Sequence, residues 1–244
     1  MGNICLNCDR LLSENYCQNC GQISSTHRYS LKHFIEHDVI HGIWHIDKGI
    51  LFTIKELFTR PGHSVREYLQ GKRINLFPFI SLLLILLAIS SFLTHYTHIK
   101  IADLMPDAGT SKATMSYLEK FSTEYPRLML VITIPINSLF SIIWFQKAKL
   151  NFTEHLVINS YKTAAEMIVG LLFTFTTIYY TNIKNLTFIY YFFVVIFTYA
   201  YTIWFFYQLF SKFEYTKKSL IFRSFMILVS YTMIGVVIAF VSKH

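Results

Sequence analysis

A predominantly α-helical, polytopic membrane protein with a small cysteine-bearing head is the fold class this sequence predicts. Three observations lead there. Of the 244 residues, 53% are hydrophobic and only 15% charged, against about 25% charged in soluble chains. Mean hydropathy is +0.41. Charges cluster between long uncharged runs, five of which reach the roughly 20 residues that a helix needs to cross about 30 Å of hydrocarbon. All four cysteines lie within the first twenty residues.

The expected organisation is a head over residues 1–26, interfacial amphipathic helices over 27–75 and a transmembrane body over 76–244. In the head, Cys5-Leu-Asn-Cys8 and Cys17-Gln-Asn-Cys20-Gly21 make a C-x2-C-x8-C-x2-C pattern. Each pair can present two thiolates from one tight turn, and four thiolates close a tetrahedral zinc site with no open position for water. The reading is therefore a structural zinc ribbon with ligands Cys5, Cys8, Cys17 and Cys20. Gly21 suits a turn with positive φ. Redox CxxC pairs or a disulfide staple are the alternatives, and the βαβ context that a redox motif expects is missing. The opening MGNICLNCDRLL has no apolar core of a signal peptide, which predicts a head in the reducing cytoplasm.

Ser30 to Ile46 reads as an amphipathic helix. His33, His37, His41 and His45 recur every fourth residue opposite Ile35, Val39, Ile43 and Ile46. The repeat is taken as a solvated face of a surface helix, with metal binding or pH sensing as the alternative. A second helix runs from Lys48 to Phe58 and is broken at Arg60-Pro61-Gly62. A third, VREYLQ, closes with Gly71 as its C′ residue. Arg60, Arg66, Lys72 and Arg73 stand just before the first apolar run and are expected to contact anionic headgroups. The basic balance, net +8, is thus assigned to lipid rather than nucleic acid.

The CxNC…YCxNCGQ head, Asp47-Lys48-Gly49, Thr53, Arg60-Pro61-Gly62 and Arg66-Glu67-Tyr68-Leu69-x-Gly71-Lys72-Arg73 resemble the bacterial membrane-protein family known as domain of unknown function 3667. The resemblance spans roughly residues 3 to 90. It implies a zinc-ribbon head joined to a multi-span body in a bacterial inner membrane, and it implies no activity.

The five expected spans are Phe77–Tyr96, Arg127–Gln146, Tyr161–Thr181, Leu186–Phe210 and Leu220–Val241. With the N-terminus inside, sixteen of the 22 lysines and arginines fall on the inner side, so the positive-inside rule places the head in the cytoplasm and the C-terminus outside. Pro135 and Asn137 fall within the second span, and a short helix is expected around Lys112–Phe121. His155, Asn159, Lys162 and Glu166 recur at i, i+4, i+7 and i+11, a single stripe on the third span. If buried, the stripe could conduct a proton, bind a lipid headgroup or lock two spans together. If the helix leaves the membrane early, it is a solvated face.

Two functions from different classes follow. In the first, a non-enzymatic membrane protein uses its zinc ribbon to dock a cytoplasmic protein partner while its spans contact lipid. In the second, a transporter or lipid-handling protein uses the third-span stripe. A membrane enzyme has least support, since no HExxH, GxSxG or Walker motif occurs.

Overall fold

Apolar runs of this length fold as helices because each satisfies its own backbone hydrogen bonds within one segment. The computed structural model describes residues 4–26, 29, 49–104, 120–121 and 124–241. The amphipathic segment Ser30–Ile46 with its four histidines, and most of the helix expected at Lys112–Phe121, lie outside these residues.

The described chain is predominantly helical and contains no strand beyond two isolated bridges in the head. Two short helices come first, α1 (Gly49–Thr59) and α2 (Pro61–Leu69). Pro61 occupies the first position of α2, where its missing N–H costs nothing. Gly71, at φ +106°, closes α2 as expected. The Lys72 N–H donates to Glu67 O and the Gly71 N–H to Tyr68 O, the paired bonds of a Schellman motif.

The body is built from α3 (Phe79–Thr94), α4 (Pro126–Trp144), α5 (Phe152–Tyr179), α6 (Ile183–Ile189), α7 (Ile196–Phe210) and α8 (Lys217–Val241). A π-helical stretch, Tyr190–Val195, joins α6 to α7 in one continuous run. Among the described residues, three helices are long and apolar enough to cross a membrane: Arg127–Trp144, Phe152–Tyr179 and Ile183–Phe210. Helix α3 is apolar but has 16 residues, about 24 Å at 1.5 Å per residue. Each expected span thus coincides with a helix, and these three carry the length and composition of a crossing.

Helix α5 is the axis of the body, packed against α3, α4, α1, α2 and α7. It starts nine residues before the span expected at Tyr161. The cause is a capping box: the Glu154 N–H donates to Asn151 Oδ1 at 2.8 Å, and the Asn151 N–H donates to Glu154 Oε2 at 2.7 Å. From Thr153 to Lys162 every residue is buried, the mark of a helix surrounded on all sides. Helices α1 and α2 are also partly internal. Thr53, Leu57, Val65 and Tyr68 are buried, and α2 lies along α7. The interfacial segment expected over 27–75 is therefore, in its second half, packed against the body. The core beneath it is aromatic: Tyr68 and Phe79 both meet Tyr161 edge to face.

Candidate functional site

The head consists of two matching knuckles. In each, the residue after the second cysteine takes a left-handed backbone, Asp9 at φ 58° and Gly21 at φ 76°. The Cys5 N–H donates to Arg10 O and the Asp9 N–H to Cys5 O; Cys17, Gln22 and Gly21 repeat the pattern. The sulfurs of Cys5, Cys8, Cys17 and Cys20 all lie within 4.8 Å of one another. The Cys5–Cys20 and Cys8–Cys17 pairs are 3.6 and 3.5 Å apart. A tetrahedral ion with bonds of about 2.3 Å requires edges of about 3.8 Å, so the cluster has the dimensions of a metal site. The Arg10 backbone N–H, helped by the Asn19 side chain, draws the Cys8 thiol down to about 6. Desolvation pushes Cys20 up to about 11.

Beyond the head, basic residues mark two helix ends. Arg66 is 8% exposed. Its Nη1 donates to Gln208 O at 2.7 Å and Leu209 O at 3.0 Å, placing a cation on the terminal carbonyls of α7. The headgroup reading for Arg66 did not include this contact: a position just before an apolar run does not reveal that α2 turns this side chain inward. Arg60 bonds Glu56 and Glu67, each at 2.6 Å. Arg73 lies 4.0 Å above the Tyr29 ring, and Lys72 is exposed. In α8, Arg223 Nη1 donates to Trp144 O, the last carbonyl of α4.

The stripe on α5 is enclosed. His155, Asn159 and Lys162 are buried. His155 Nδ1 bonds the Ser141 hydroxyl at 2.8 Å. Asn159 Nδ2 donates to Ser141 Oγ at 3.0 Å, and its Oδ1 accepts from Tyr231 OH at 3.3 Å. Lys162 Nζ lies 2.7 Å from Glu166 Oε1 and 5.0 Å from the Tyr231 ring centroid. Glu166 Oε1 also accepts from Thr202 Oγ1 at 3.1 Å. One polar network thus joins α4, α5, α7 and α8. Its members on the other helices (Ser141, Tyr231, Thr202) carry no signal in the sequence, because hydroxyl side chains are scattered through these apolar helices and only packing selects these three.

The network opens on one side. A cleft of about 700 Å³ between these helices is lined by apolar side chains, Met129, Ile136 and Leu228 among them, and by polar ones that include Lys162, Glu166 and Thr198. The two partners face it unequally: the Lys162 side chain is 2% exposed and that of Glu166 23%. Both protein donors converge on Oε1, and among the described residues no donor reaches Oε2. The more exposed pole of the ion pair is therefore the Glu166 carboxylate. Asn137 also lines the cleft.

A family described as Protein of unknown function (DUF3667) matches residues 47–91. The chain resembles that family across α1, α2 and most of α3, the segment joining head to body. No curated protein and no solved structure matches the chain.

Proposed function

We propose that this chain is an integral protein of a bacterial inner membrane, with a cytoplasmic zinc-loaded head and an outer C-terminus, that handles an amphiphile in the α4–α5–α7–α8 cleft. The Lys162–Glu166 pair carries the proposal. Removing two charges from water costs several kcal/mol per ion, and such groups in a membrane body characteristically face a bundle interior or cavity. The apolar walls suit an acyl or alkyl chain. The Glu166 carboxylate, the more exposed partner, suits a polar end that donates hydrogen bonds, an amine or a hydroxyl. The zinc assignment rests on four thiolates at tetrahedral spacing.

The test is photo-crosslinking with a diazirine-bearing long-chain alkylamine on the purified protein in nanodiscs. Saturable labelling of α4 or α8 is expected, reduced at least tenfold in Glu166→Gln and in the charge-free double variant Lys162→Met/Glu166→Leu. Labelling that does not saturate, or is unchanged in both variants, overturns the proposal.

A second reading keeps the head as a docking site for a cytoplasmic protein. It is favoured by the apolar side chains that the knuckles turn outward, Ile4 at 57%, Leu11 at 76% and Tyr16 at 61% exposed. Leu11→Ser with Tyr16→Ser should abolish recovery of that partner while leaving metal content and membrane insertion intact. Unchanged recovery removes this reading.

A further inference from the structure

The head is gripped by the body at one turn, and both knuckles take part. Leu6 lies inside the first Cys-x-x-Cys and covers Gly71, where an added Cβ would sit 2.7 Å from Leu6 Cδ1. Gln22 follows the second Cys-x-x-Cys and is buried. Its Nε2 donates to Gly71 O at 2.8 Å, and its Oε1 accepts the Arg73 N–H at 3.2 Å. The Gln22 backbone carbonyl meanwhile accepts the Cys17 N–H at 2.8 Å and so closes the second knuckle. One residue therefore shapes the cysteine cluster with its backbone and holds the α2–α3 turn with its side chain. Tyr29 extends the junction: its hydroxyl donates to Tyr68 OH at 2.8 Å, and its carbonyl accepts from Asn151 Nδ2, the N-cap of α5, at 2.8 Å.

We infer that the metal-loaded head is a clasp on the α2–α3 turn, so that metal occupancy controls how firmly α2 is held against the body. Knuckles this small bury too little apolar surface to keep their shape, and metal binding supplies their folding free energy. With the ion bound, Leu6 and Gln22 are held at the separation that matches Gly71 and Arg73. Without it, that separation is no longer enforced, and the turn exchanges two hydrogen bonds, one of them buried, for water. Helix α2 is then held only by the body it packs against, with Gly62 and Arg66 on the end of α7. The inference does not depend on what occupies the cleft.

Hydrogen exchange on the full chain in nanodiscs tests it, with metal content measured alongside. Stripping the metal with a chelator should speed exchange at least tenfold across residues 69–74, and change it little in the centre of α5, Val157–Tyr161. Gln22→Ala should retain the metal and show the same local rise. Three results would overturn the clasp. These are metal loss with unchanged exchange at 69–74, full protection there in metal-loaded Gln22→Ala, or an equal rise throughout α5, which would make the ion a support of the whole fold.

Discussion

Replacing Gly62 by alanine places a methyl group inside the contact between α2 and α7. A Cβ at that position would lie 2.3 Å from Leu209 N, 2.4 Å from Phe205 O and 2.6 Å from Gln208 Cβ. Ordinary contacts begin near 3.4 Å, and two of these atoms are backbone, so α2 must retreat by about 1 Å. Arg66 lies one turn further along the same helix. Its bonds to Gln208 O and Leu209 O, 2.7 and 3.0 Å, would stretch past about 3.5 Å and cease to be hydrogen bonds. Overpacking costs about 1–3 kcal/mol and a lost bond to a charged group about 1.5–3 kcal/mol. Together they lower the Tm by on the order of 10 °C for a chain of this size. Thermal unfolding in nanodiscs reads the effect. Gly170→Ala is the control, because nothing lies within 4 Å of its added Cβ and alanine is the better helix former. If Gly62→Ala unfolds within 1 °C of Gly170→Ala, the close approach of α2 to α7 is refuted.

Two further predictions follow from the same contacts. Arg66 Nη2 donates to His63 Nδ1 at 2.7 Å, which requires a neutral ring, and desolvation followed by the Arg66 charge holds the His63 pKa below its ordinary 6.5. With the folded pKa depressed, the unfolded chain binds the extra proton first. This contribution is therefore complete above about pH 6.5 and is lost as pH falls below it. The Tm should drop between pH 7 and pH 5 more steeply in wild type than in His63→Gln; equal slopes would refute the assignment. Lys162→Met strands the Glu166 carboxylate and should cost about 3 kcal/mol, less if the cleft admits water. Adding Glu166→Leu should recover most of that stability in the same unfolding assay. A double variant less stable than Lys162→Met alone would contradict an ion pair held in an apolar setting.

How much of this was legible depended on how local each signal is. The cysteine spacing and Gly71 after VREYLQ specify turns through residues adjacent in the chain, and the structure places a sulfur cluster and a Schellman turn there. The stripe from His155 to Glu166 was visible as a period on one helix, but its enclosure was not. The groups that enclose it come from α4, α7 and α8, brought together only by packing. Asn151 and Glu154 are polar, so hydropathy alone starts the third helix too late; the capping box was present as Asn-x-x-Glu but is a signal of helix starts rather than of membrane depth. The carbonyl contact of Arg66 was missed for the reverse reason. A cation before an apolar run has two favourable destinations, an anionic headgroup or the carbonyl end of a neighbouring helix, and sequence proximity to lipid favours only the first.

Whether the Lys162–Glu166 cleft accepts a ligand from the membrane can be measured most directly by thiol accessibility at a neighbouring wall residue. Asn137→Cys preserves both charges, and its labelling is read on its own peptide, apart from the thiols of the head. In sealed vesicles a small permeant maleimide should label this position slowly. A long-chain alkylamine should retard the labelling at least fivefold, and a bulky charged maleimide should not react. Free labelling by both reagents, indifferent to the amine, would mean a water-filled surface groove and would contradict the amphiphile site.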